Sequence, residues 1–222
     1  MFGPDIQRMA RQLMQWIVRP LIASPVTPNM LTVIGVLLSM VTAAVLATGH
    51  LLTGGVLVLL SGIFDMLDGG LARAKQMHST FGAFYDSTLD RLSESIICFG
   101  LAYWFLVQEM HNAVLLVFIV IVGSLMISYA RARAEGLNLE CKVGMLARPE
   151  RVVLLGGALI LERFVKLPGQ FGILLVTLTV LAVFSFFTLG HRIWHVWRLT
   201  LPSTPPQAVH LPRRWHRRGT RV

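Results

Sequence analysis

The hydrophobic residues of this chain come in blocks, and that clustering limits what it can fold into more than any single motif does. Residues 30–49, 54–64, 113–126 and 171–189 contain no charged side chain. Each block, with its flanks, approaches the roughly 20 residues that an α-helix needs to cross the hydrocarbon core of a bilayer. Only 14% of the residues are charged, where a soluble domain carries about a quarter. The 19 glycines suit helices that pack closely within a membrane. The expected fold class is all-α, a polytopic membrane protein.

Six transmembrane helices are expected, at 30–48, 52–74, 81–107, 113–134, 151–163 with its flanks, and 171–197. Thr27 and Pro28 read as an N-cap followed by proline at the first helical position, which starts the first span. Residues 1–22 intersperse Arg8, Arg11 and Arg19 with Met9, Leu13, Met14, Trp16 and Ile17. That is the pattern of an amphipathic interfacial helix, and no cleavable signal peptide is apparent. Residues 1–200 read as one membrane domain, followed by a basic, disordered tail at 201–222.

Charge sets the orientation. Arg8, Arg11, Arg19, Arg73, Lys75, Arg131, Arg133, Lys142, Arg148, Arg151, Arg192 and Arg198 fall on one side of the spans, and the opposite loops hold only Arg163 and Lys166. By the positive-inside rule, both termini and the active site are expected at the cytoplasmic face of a cell membrane. The net charge of +9 lies beside apolar spans. Its expected partners are therefore anionic membrane lipids and phosphate-bearing substrates, not nucleic acid. Cys98 and Cys141 imply neither a disulfide framework nor a zinc site.

Four aspartates interrupt the apolar spans. A charged aspartate near the bilayer centre costs at least about 2.5–3.5 kcal/mol, so Asp65, Asp68, Asp86 and Asp90 need something specific to offset them. Asp65 and Asp68 are three residues apart and share a helix face, and Asp86 and Asp90 are four apart and share another. Faces brought together by the turn between them make a hard-oxygen site suited to Mg²⁺ or Mn²⁺. The alternatives are salt bridges to Arg73, Lys75 and Arg91, or the ion site of a divalent-cation transporter.

The full pattern is Asp65-x-x-Asp68-Gly69-x-x-Ala72-Arg73, eight residues, then Gly82-x-x-x-Asp86-x-x-x-Asp90. It resembles the signature of the CDP-alcohol phosphotransferase family at all its fixed positions. The resemblance implies a phosphatidyltransferase that uses CDP-diacylglycerol and releases CMP. It implies that Asp65, Asp68 and Asp86 hold two metal ions, with Asp90 near one of them, and that Asp90 is the general base for the acceptor hydroxyl. Asn29, Met30, Leu31, Thr32, Gly69, Ala72, Arg73, Ser79 and Gly82 are then expected around the CDP-diacylglycerol. Ser79 also reads as a plain N-cap for the third span. The family further implies a homodimer.

The acceptor is read from two later blocks, Ser128 to Glu135 and Arg148 to Arg151. They resemble those of phosphatidylinositol-phosphate synthases and their archaetidyl relatives, which take inositol 1-phosphate. The resemblance places Ser128, Arg131, Arg151 and Arg192 around the acceptor. Guanidinium forks from three helix ends suit a dianionic phosphate, which makes a small phosphorylated polyol the expected acceptor. Glycerol 3-phosphate remains the alternative.

Overall fold

The computed structural model describes residues 18–77, 79–165 and 171–201. These residues are helices and their connections, with no strand among them. The six long helices are α1 (Pro28–Ala47), α2 (Leu51–Ala74), α3 (Thr80–Val107), α4 (His111–Glu135), α5 (Arg148–Leu161) and α6 (Gly172–Thr200). Residues 18–22 are also helical. Most of the expected interfacial helix and of the basic tail lies outside the described residues.

Local chemistry sets the helix starts. Thr27 Oγ1 accepts the Met30 N–H at 3.3 Å, with Pro28 opening α1. Ser79 Oγ accepts the Gly82 N–H at 2.9 Å and caps α3. At α5, the Glu150 carboxylate reaches back to the Ala147 N–H at 2.8 Å.

The helices close into a ring in the order α1, α2, α5, α6, α4, α3, each packing mainly on its two neighbours. Leu46, Val58, Leu101, Phe105, Val117, Leu159 and Leu174 fill its interior, so every helix contributes to one core. Cys98 and Cys141 are buried free thiols.

At the α2–α5 seam, glycine lets two helix backbones approach closely. A Cβ on Gly55 would lie 2.8 Å from the Gly156 carbonyl oxygen. A Cβ on Gly62, two turns along, would lie 2.8 Å from Val152 Cγ1. The contacts run antiparallel, and the next step along the seam brings Asp65 against Arg148. Backbone contact at two glycines thus fixes which side chains meet at the end of α2.

Four helices, α1, α2, α4 and α6, are long and apolar enough to cross a membrane, and only 33–39% of each apolar window is buried within the protein. Leu37, Val41, Leu115, Val122, Val183 and Phe187 face outward. Apolar surface on this scale belongs against lipid, so the chain is a multi-pass membrane protein. The two other expected spans differ for identifiable reasons. Helix α3 carries Asp86, Asp90, Arg91 and Glu94 between its start and its midpoint region. Helix α5 has 14 residues, which reach only about 21 Å.

Gly55→Val is expected to force α2 and α5 apart. Overpacking of this kind costs about 1–3 kcal/mol or more, seen as a lower melting temperature in detergent. A methyl group at Gly157 would meet nothing within 4 Å, so Gly157→Ala should leave melting unchanged or raise it slightly.

Candidate active site

Helices α2 and α3 both lean on α1 but make little contact with each other. The space between them is a cleft of about 200 Å³. Asn29 and Thr32 line it from α1, Asp68, Gly69, Ala72 and Arg73 from α2, and Ser79, Gly82 and Asp86 from the start of α3. Met77, from the connecting turn, completes the wall. Gly82 is needed for space, since a Cβ there would sit 2.9 Å from Ser79 Oγ and 3.6 Å from Asn29 Oδ1. Ser79 therefore both caps α3 and faces the cleft. Two residues expected here do not line it: Met30 is half exposed, and Leu31 is buried among Val18, Leu67 and Leu71.

Asp68 is almost fully buried. Its Oδ2 accepts the Thr32 hydroxyl at 2.9 Å, and its Oδ1 accepts the Gly69 N–H at 2.5 Å. The charges of Asp86 and Asp90 both act on it. Asp65 and Asp90 are joined through one cation, Arg148. Its Nη1 contacts Asp65 Oδ2 and lies 2.8 Å from Asp90 Oδ2, and its Nη2 donates to the Asp90 carbonyl at 3.2 Å. The sequence alternative of pairing with Arg73, Lys75 or Arg91 is not what occurs. Lys75 Nζ instead donates to the carbonyls of Ser24 and Val26 at 2.7 and 2.8 Å. Arg91 donates to the Ser87 carbonyl.

With Arg148 in place, no group of three or more His, Cys, Asp or Glu is drawn into a metal-binding cluster among the described residues. The donor chemistry still fits a hard divalent cation: Asp68 and Asp86 line the cleft, Asp65 and Asp90 meet on Arg148, and the buried Asp90 Oδ1 has no hydrogen-bond partner.

A second polar cluster lies behind the first. Arg151 is buried and grips Glu94 with both arms of its fork, Nε to Oε1 and Nη2 to Oε2, each at 3.2 Å. Nη2 also donates to Ser124 Oγ at 3.0 Å. Ser124, Ser128 and Arg131 are spaced to share one face of α4. Arg131 is exposed and pairs with Glu135 at 2.8 Å. Arg192, on α6, donates to the carbonyls of Ile127 at 2.6 Å and Val143 at 2.9 Å, and feels the charges of both Arg131 and Arg151. Arg192 is within electrostatic reach of the two other expected acceptor arginines, and Arg151 already donates to Glu94, Ser124 and the Leu146 carbonyl.

Residues 25–190 match the model of the CDP-alcohol phosphatidyltransferase family. The chain belongs to that family. An archaetidylinositol phosphate synthase of Methanothermobacter thermautotrophicus is 34% identical over 202 residues, covering 89% of this chain and 93% of that protein. A phosphatidylinositol phosphate synthase of Mycobacteroides abscessus is 37% identical over 191 residues, 83% of this chain and 81% of that protein. The crystal structure of the Mycobacterium tuberculosis phosphatidylinositol phosphate synthase with CDP-DAG bound superposes with a TM-score of 0.74 at 33% identity, covering 84% and 94% of the two chains. The same enzyme in complex with manganese and citrate gives 0.75 at 33% identity, over 83% and 88%. As a family member the chain is a transferase of phospholipid biosynthesis.

Sequence reasoning leaves Arg148 and Glu94 without a role. Glu94 had a signal: it lies four residues past Asp90, and Asp86, Asp90 and Glu94 form one acidic stripe on α3. Arg148 had one as well, as the first residue of the block Arg148 to Arg151, but its contact with α2 depends on the packing at Gly55 and Gly156, which spacing does not show.

Glu94→Ala strands a buried guanidinium and is expected to lower stability by about 3–5 kcal/mol. Glu94→Gln should lose less, and comparative thermal unfolding in detergent measures both.

Proposed function

We propose that this phosphatidyltransferase moves the phosphatidyl group of CDP-diacylglycerol to inositol 1-phosphate, giving phosphatidylinositol phosphate and CMP. One observation carries the reading. The small and polar motif residues and two of the motif carboxylates line a single cleft, in a chain similar over most of its length to proteins named as phosphatidylinositol phosphate synthases.

In this reading Gly69 and Ala72 leave a flat wall for the cytosine, while Asn29, Thr32, Arg73 and Ser79 offer polar contacts to the nucleotide. Asp65, Asp68, Asp86 and Asp90 hold two Mg²⁺ or Mn²⁺ ions. Such ions, when bound, neutralise the diphosphate and the charge that builds on it. Thr32 and the Gly69 N–H fix the Asp68 carboxylate in position. Asp90 takes the proton of the acceptor hydroxyl. The hydroxyl oxygen bonds to the phosphorus that carries diacylglycerol, and the bond from that phosphorus to the CMP oxygen breaks. Ser128, Arg131 and Arg192 hold the acceptor phosphate, with Arg151 behind them.

The same reading has six membrane crossings, α3 crossing with its acidic half turned inward and α5 extended by its flanks. The helix ends bearing Arg73, Arg131, Arg148 and Arg192 lie at the cytoplasmic face with both termini. Residues 1–200 form the membrane domain. The interfacial helix at 1–22 and the tail at 201–222 rest on anionic lipids, and the enzyme works as a homodimer. Helix ends that meet, as at Arg148 with Asp65 and Arg192 with Ile127, support the common face.

Asp90→Asn is expected to cut turnover by about 10²–10⁴-fold, measured as CMP release, with CDP-diacylglycerol binding retained. Arg131 is the cleanest test of the acceptor, because among the described residues its only ion-pair partner is the exposed Glu135. Arg131→Ala should raise the KM for inositol 1-phosphate about ten- to hundredfold, the worth of a hydrogen bond to a charged group. The KM for CDP-diacylglycerol should stay put, and free inositol should be rejected by the wild type. Preference for glycerol 3-phosphate would keep the enzyme class and overturn the acceptor.

A further inference from the structure

Two arginines leave the first turn of α5 toward the acidic stripe of α3, and they are held in different ways. Arg151 is fixed: its fork meets one carboxylate at two points and a serine hydroxyl besides. Arg148 is not. It meets two different carboxylates, Asp65 and Asp90, both through Nη1, and its Nη2 reaches only the Asp90 backbone carbonyl, at 3.2 Å. Its Nε is buried without a partner, and so is Asp90 Oδ1 beside it. Buried polar groups in a settled network are satisfied almost without exception. A single-nitrogen contact also forgoes the paired geometry that makes guanidinium–carboxylate bonds strong.

We infer that Arg148 is an exchangeable counter-ion, which occupies the metal position between Asp65 and Asp90 and must release both carboxylates before a divalent ion is held there. This rests on the reading of Asp65, Asp68, Asp86 and Asp90 as metal ligands. The oxygens that Arg148 holds, Asp65 Oδ2 and Asp90 Oδ2, belong to two of the four carboxylates that would hold a divalent ion in that reading. Two cations cannot share them, since like charges at such separations repel strongly in a poorly hydrated site. The Arg151–Glu94 pair still ties α5 to α3 across the ring when the Arg148 side chain leaves. Arg148 is thus a positioning residue that keeps the carboxylates from repelling one another until metal arrives.

The test is Mn²⁺ binding to the purified protein in detergent, read from loss of the free-ion EPR signal, together with the melting temperature of the metal-free protein. Wild type, Arg148→Gln, Arg148→Lys and, as a control for the general field, Arg91→Gln are compared. Arg91 lies near the same carboxylates but donates to a backbone carbonyl. Arg148→Gln should bind Mn²⁺ at least about tenfold more tightly than wild type, the scale set by losing a charged hydrogen bond. Its metal-free form should melt lower and recover more on adding Mn²⁺. Arg148→Lys, which keeps the charge without the fork, should fall between the two, and it preserves the test if the glutamine variant does not fold. Unchanged or weaker Mn²⁺ binding in the Arg148 variants overturns the inference. An equal gain in Arg91→Gln does so too, by assigning the effect to net charge alone. Wild type that binds no Mn²⁺ instead removes the metal reading on which the inference stands.

Discussion

The structure depends on an acidic stripe answered from across the ring. Asp86, Asp90 and Glu94 follow one another on α3, and Asp65 joins them from α2. Arg148 and Arg151 meet this stripe from the start of α5. Carboxylates in the apolar part of a membrane protein are tolerated only when paired or turned toward polar space. The pairing therefore adds to the Gly55–Gly156 seam in holding α5, a 14-residue helix, against the acidic stripe. The positive end of the α5 backbone dipole points at the same cluster, which adds a fixed favourable field.

The cleft follows from this arrangement. Because α5 and α1 each take one side of α2, the motif faces of α2 and α3 are left to confront space instead of each other. Glycine at 69 and 82 keeps that space open, and the Thr32 hydroxyl reaches across from α1 to set the orientation of Asp68. Two helices thus fix one carboxylate, α1 through Thr32 and α2 through the Gly69 N–H. That degree of fixing is what a site needs when its function relies on oxygens held at set distances.

Much of this was legible in the sequence. The uncharged blocks located the helices with small shifts at the ends, and the Thr27-Pro28 and Ser79 signals located two helix starts, because capping is local chemistry. The motif spacing predicted which carboxylates share a face, since helical periodicity is fixed. What spacing cannot give is the rotation of one helix about its neighbour. Leu31 lies within the expected nucleotide segment yet turns into a small core, and Arg148 rather than Arg73, Lys75 or Arg91 answers the aspartates. Arg151, expected at the acceptor, spends its fork on Glu94. Each of these is decided by packing between elements far apart in the chain. The count of crossings was also harder to read, because α3 mixes charge with apolarity and α5 is short.

The order of helices around the ring differs from their order in the chain, and this has a consequence for how the protein is made. Helices α1 to α4 can associate as they emerge, since α1 meets α2 and α3, and α3 meets α4. Until α5 is synthesised, however, the partners of Asp65, Asp90 and Glu94 do not yet exist. The half-built bundle must keep that flank open to water, and arrival of α5 and α6 is the event that seals it. Assembly therefore ends at the acidic stripe, and a nascent chain interrupted before residue 148 carries Asp65, Asp90 and Glu94 without the arginines that pair with them.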